Sequence, residues 1–417
     1  MAVSVFTLGG GVLSVLTTLS ILIMLGLLIT IFSKKIKTSN VLLLILSGII
    51  LGFISRKLDI LPISQATLVT LAILALVLIV FYGASRFEIK ALDKLSTSAL
   101  RLTFISIFLN MVIIGLLFMY LVFGKITIMN ILYALIFATI ISGTDPASAF
   151  SLLRSKAQKT IKFLEVEAIL NTPIVVLIPF ILLDIINQIV NNTVVSWQAY
   201  LVGILTQILV GIGSGIFVGM IFFRSMRKFY SEEISPLAVI TAALISYILA
   251  ENLYGNGVLA VAVLGFVFGN MYVSHKDVLQ EFSGMLSKAL EILVFILLGY
   301  MITLDFNWIV FINSITIFVA IILIRYISVR IALKNENYSH KDYWFLSLNL
   351  PKGIAVAVLV FSLAILGSPQ IIQINKYVVL IMIYSLILGT IVNRIYVNKS
   401  SKQFAGEKIK RQVLKKS

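Results

Sequence analysis

The chain has 417 residues, 60% of them hydrophobic and only 12% charged, with a mean hydropathy of +1.09. A soluble domain carries about twice that charged fraction, so the composition excludes one and points to a polytopic membrane protein. The net charge of +16 collects in short loops and the C-terminal tail, where membrane topology places it, so no nucleic-acid partner is expected; the absence of cysteine removes disulfides, thiolate metal sites and cysteine nucleophiles.

In chain order the apolar runs predict thirteen helices, over 12–33, 40–55, 65–85, 99–123, 126–153, 161–190, 198–223, 235–252, 257–272, 280–304, 307–332, 342–366 and 373–394. The second and ninth are short for a full crossing and call for tilt or burial by neighbours. Lysine and arginine cluster in alternate loops, as in Lys34, Lys35 and Lys37, then Arg154, Lys156, Lys159 and Lys162, then Arg330, Lys334 and Lys341. The positive-inside rule makes those loops cytoplasmic, which puts the N-terminus outside, the C-terminus in the cytoplasm and the protein in the cell membrane. Residues 1–396 read as one transmembrane domain, and 397–417 as a mobile basic tail close to anionic membrane lipid. The opening MAVSVFTLGGG has no basic n-region and no clear cleavage site, so no signal peptide is expected.

Polar residues inside a span mark function, because each is costly in lipid. The fifth helix carries Thr144 and Asp145, the sixth Glu167, Asn171 and Thr172, the tenth Lys288 and Glu291, and the twelfth Asn349 and Lys352. Asp145, Asn171, Thr172 and Lys352 each lie on the order of 15 Å from the cytoplasmic end of their helix, which is the membrane midplane. Two of these helices also break there. Gly143 and Pro146 flank Thr144-Asp145, and Pro351 and Gly353 flank Lys352. Proline removes a backbone donor and glycine tolerates unwound chain, so two discontinuous helices should meet at the midplane, as equivalent members of two inverted repeats. Lys288 and Glu291, spaced i,i+3, read as a structural ion pair on one helix face.

A buried carboxylate can hold either a proton or a metal cation, and not both. That competition at Asp145 is the minimal mechanism for exchanging one against the other. Thr144, Asp145, Asn171 and Thr172 supply hard oxygen ligands suited to Na⁺. Glu167 shares a helix face with Asn171, and Lys352 at the same depth is its expected partner, structural or tuning the protonation of the site.

These residues carry a resemblance. Thr144-Asp145-Pro146, LEVEAILN at 164–171, LPKGIAVA at 350–357, GNGVLAVAVLGFVFGN at 255–270 and FYGASRFEIKAL at 81–92 resemble, in order, the motifs of the monovalent cation:proton antiporters of the NhaP type, within the sodium/hydrogen exchanger family. The resemblance implies a secondary transporter of a monovalent cation, Na⁺ more than K⁺ and with Li⁺ as a further candidate, against protons, with no cofactor. It also implies homodimers and elevator-like movement of a six-helix core, here helices at about 99–190 and 307–394, against scaffold helices. Two positions depart from the family pattern. Its Asn-Asp pair is Asn171-Thr172, and its buried arginine is Lys352, which unlike arginine can lose its proton when buried. Asp145, with Glu167 second, is left as the titrating group.

The missing aspartate motivates two other readings, an uncoupled cation channel or uniporter on the same scaffold and a sensor that no longer transports. An enzyme is not expected: His275 and His340 fall in loops, and no HExxH, GxSxG or P-loop pattern is present.

Overall fold

The computed structural model of the protein describes residues 2–36, 38–58, 65–86, 94–145, 158–191, 197–226, 230–302, 307–364 and 367–414. Pro146 and the expected second half of the fifth helix lie outside the described residues. Among those described, nine helices are long and apolar enough to cross a membrane, and four shorter apolar helices, Val69–Ser85, Ile128–Ile140, Gly257–Asn270 and Ile354–Ala364, complete the set. The all-helical polytopic architecture read from the sequence is the one observed.

The chain begins with α1 (Ala2–Ile36), α2 (Asn40–Leu58) and α3 (Gln65–Ser85). Helix α4 (Lys94–Leu109) runs on through a π-helical turn at Asn110–Ile114, the single turn α5 (Gly115–Phe118) and a second π-helical turn at Met119–Phe123, ending at Gly124 with φ 65°. Then follow α6 (Ile128–Ile140), α7 (Gln158–Val190), α8 (Trp197–Met226), α9 (Ile234–Asn252), α10 (Gly257–Asn270), α11 (Lys276–Met301) and α12 (Trp308–Ala332). The last helices are α13 (His340–Leu348), α14 (Ile354–Ala364) and α15 (Pro369–Leu414). The backbone of α15 continues as helix past residue 397, into the basic tail.

Local sequence sets the helix starts. Thr127 caps α6 by accepting from Asn130 N, and Asn256 caps α10 by accepting from Leu259 N at 2.8 Å. Asn307 caps α12, and Ser339 with Asp342 forms a reciprocal capping box on α13.

Packing divides into two neighbourhoods. In one, α11 lies along α1, α2 and α3, and α10 packs on α3, α8 and α9. In the other, α4 packs on α7 and α12, α6 on α7, and α13 and α15 on α12. Helix α14 joins them, touching α3 and α11 on one side and α7 and α15 on the other. Phe81, Phe118, Phe137, Phe268, Phe295 and Phe361 fill the interior, whereas Met24, Leu27, Leu28 and Ile31 of α1 and Trp308, Ile309 and Ile312 of α12 stay exposed. An apolar exterior is what lipid demands of a spanning helix.

Candidate ion-binding site

Helix α6 stops in the middle of the protein. Ser142 N and Gly143 N bond back to Thr139 O and Ile140 O in a tightened last turn, and the chain then leaves helical geometry. Space is tight at Gly143: a Cβ would come within 3.0 Å of a Val356 methyl and 3.2 Å of a Val175 methyl, so a larger residue would press both aside. On the other broken helix, α13 ends at Leu348, and residues 349–353 are non-helical before α14 begins. Proline at 351 has no N–H to offer the preceding turn, which is why the break falls there.

The two breaks touch. Asp145 N donates to Pro351 O at 2.9 Å, a backbone bond from the chain just after α6 to the break between α13 and α14. The carboxylate of Asp145 lies directly against Gly353, in the volume that a Cβ at 353 would occupy. It therefore sits at the N-terminal, positive end of α14, where free amides favour an anion or the ligands of a cation. Asp145 and Thr144 are half-buried. Lys352, between Pro351 and Gly353, is buried, and its backbone N donates to Ser385 Oγ at 3.2 Å.

The amide of Asn171 reaches this loop from α7. Its Nδ2 donates to Ser142 O at 2.8 Å and lies 3.4 Å from Thr144 Oγ1. Asn171, Thr144 and Asp145 are thus brought together as the sequence reading expected. Thr172 is not part of that group by its hydroxyl, which donates to Ala168 O of its own helix at 2.8 Å.

Glu167 departs from expectation. Its partner is Arg325 of α12 and not Lys352: Nη1 and Nη2 of Arg325 donate to Oε1 and Oε2 of Glu167, both at 2.6 Å, and both side chains are buried. The planar guanidinium matches a carboxylate through two parallel bonds, which an ammonium cannot do. Lys352 lies within electrostatic reach of both members of the pair.

Two further groups escaped the sequence reading, and a third was read only in part. Arg325 lies two turns from the C-terminal end of its helix, where arginine ordinarily snorkels. Asn110 is buried in the first π-helical turn, and its Nδ2 donates to Ser142 Oγ at 3.0 Å. Glu291, read as the partner of Lys288, feels Lys288 but also Asp145; it is half-buried while Lys288 is exposed. Asp184 is exposed near the end of α7, away from this layer.

A helix end and a helix break that meet at a half-buried carboxylate, in an apolar bundle that is helical among the described residues, fit the class of polytopic membrane carriers. The comparisons narrow it. Residues 19–398 match the family model "Sodium/hydrogen exchanger, transmembrane", and the chain belongs to that family. It is similar to Na⁺/H⁺ antiporter 1 of Methanocaldococcus jannaschii, with 25% identity over 83% of this chain and 82% of the relative. It is also similar to the Na⁺/H⁺ antiporter NhaH of Halobacillus dabanensis (26% identity, 72% of this chain, 77% of the relative). The K⁺/H⁺ antiporter NhaP2 of Shewanella baltica matches at 24% over 55% of this chain and 41% of that protein. In fold, the chain matches the solved sodium proton antiporter MjNhaP1 of M. jannaschii with a TM-score of 0.76, 21% identity, and coverage of 93% of this chain and 98% of the other. The chain is accordingly a multi-pass membrane protein of a cation:proton exchange family.

Proposed function

We propose that this protein exchanges Na⁺ for protons in competition at Asp145, with Thr144 and Asn171 as the neighbouring ligands of the cation. One observation carries the reading: the Asp145 carboxylate rests against Gly353 while its backbone bonds to Pro351. A carboxylate at the crossing of two half-helices has both the helix amides and the freed carbonyls beside it, and together these replace water around a small cation. Preference for Na⁺ over K⁺ is supported by the names of the Na⁺/H⁺ relatives that match most of the chain, against a K⁺/H⁺ relative that matches about half. Glu167, engaged by Arg325, takes an architectural role here, and Lys352 sets the potential of the site.

The same reading assigns the helices of about 99–190 and 307–394 to a moving core and the remainder to a scaffold, in a homodimer with the N-terminus outside and the C-terminus in the cytoplasm. Support comes from the two packing neighbourhoods joined by α14. The basic tail would lie on anionic lipid.

Purified protein in liposomes tests the reading. Na⁺ pulses should collapse an imposed pH gradient, with smaller responses to K⁺ and Li⁺. A second reading, uncoupled cation flux, is favoured by the Thr172 hydroxyl, which is engaged within its own helix where a second carboxylate would stand. Cation entry without proton exit in the same liposomes would select it.

A further inference from the structure

Two carboxamides hold Ser142 from different helices. Asn171 of α7 donates Nδ2 to the backbone oxygen of Ser142, and Asn110 of the π-helical turn donates Nδ2 to its Oγ. The chemistry fixes which way each amide faces. A backbone carbonyl only accepts, so the atom of Asn171 that meets it must be the nitrogen. The Ser142 hydroxyl spends its proton on Ala138 O at 2.7 Å, so Oγ accepts from Asn110, and that atom too must be the nitrogen. Both oxygens are therefore turned away from the Ser142 atoms that the amide nitrogens meet.

Among the described residues neither oxygen has a hydrogen-bond partner, although Asn110 is 6% and Asn171 2% exposed. A buried carbonyl oxygen left bare is costly, and two such groups around one residue point to a ligand that both can bind. The backbone around Asn110 has the same character. Gly115 N bonds to Asn110 O across a π-helical turn, and such turns recur where a helix aims a side chain at a functional site.

We propose that Asn110 is a ligand of the transported cation: its carboxamide oxygen joins that of Asn171 to give two neutral oxygens beside Asp145. This rests on the exchange function proposed above and extends its site to a helix that no family motif marks. Neutral oxygens complete the coordination shell of a monovalent cation without adding charge, so the ion moves against a single negative group. Asn110 thereby supplies an oxygen in a site whose sixth-helix motif carries Thr172 in place of an acid.

The test uses the full-length protein in liposomes and in detergent, with Na⁺, K⁺ and Li⁺ as probes. Asn110→Ala should raise the apparent KM for Na⁺ by roughly tenfold or more, as loss of one oxygen contact to a charged ion predicts. It should also remove most of the Na⁺-dependent rise in melting temperature. Asn110→Asp keeps the oxygen and should retain exchange with an altered order of preference among the three cations. It also serves if the alanine variant does not fold. A merely structural Asn110 would lower the melting temperature in both variants and leave the apparent KM, the Na⁺-dependent shift and the cation order as in the parent; that result overturns the proposal. A parent protein that moves none of the three cations would instead overturn the exchange function and this inference with it.

Discussion

Arg325 grips both carboxylate oxygens of Glu167 at 2.6 Å, in a buried pair that ties α12 to α7 one helical turn from Asn171. Removing one partner leaves the other charge uncompensated. Arg325→Leu should cost about 3–5 kcal/mol, read as a lower thermal midpoint in detergent. The double change Arg325→Leu with Glu167→Leu should recover most of that loss, because two well-packed apolar side chains need no partner. Equal losses in the single and double variants would show that the pair is not what stabilises this contact.

Gly353 is the point where side-chain volume meets the proposed ion site. Gly353→Ala places a methyl group where the Asp145 carboxylate lies, so cation-driven proton movement should be abolished. Gly389→Ala is the matched control on α15, since the nearest atom to its added Cβ is 3.7 Å away. Flux assays should find the second variant active and the first inactive.

Charge counting predicts the electrical behaviour. A single carboxylate that holds either Na⁺ or H⁺ is neutral in both loaded forms, so exchange should be electroneutral and its rate unchanged by a potassium–valinomycin voltage clamp. Thr172→Asp introduces a second acid next to Asn171 and should make the rate voltage-dependent. A parent rate that already follows the clamp would show that a further group, Lys352 foremost, gives up a proton in each cycle.

Glu291 bears on Asp145 from α11, with Lys288 of the same helix as its other charged neighbour. A negative charge near Asp145 attracts a cation held there, so Glu291→Gln should raise the apparent KM for Na⁺. An unchanged apparent KM would mean that Glu291 does not act on the ion at Asp145.

Much of this arrangement was legible because membrane rules are strict. Gly143, Pro351 and Gly353 announce broken helices wherever they interrupt apolar runs, and Asp145, Asn171 and Lys352 stand out by depth alone. The partner of Glu167 was not legible, because Arg325 sits where an arginine could equally snorkel to the interface, and only packing turns it inward. Asn110 was hidden for a different reason. A lone asparagine in an apolar helix carries no signal of direction, and the π-helical turn that aims it at Ser142 has no sequence signature. Glu291 was assigned to Lys288 by spacing, which cannot register a neighbour on another helix.

The most direct test of the central claim is sodium-driven proton movement in liposomes by the Asp145→Asn variant, compared with the parent at matched protein density. The asparagine keeps the shape and removes the one charge for which cation and proton compete. The account predicts a full response from the parent and none from the variant. A response of parental size in Asp145→Asn would contradict it.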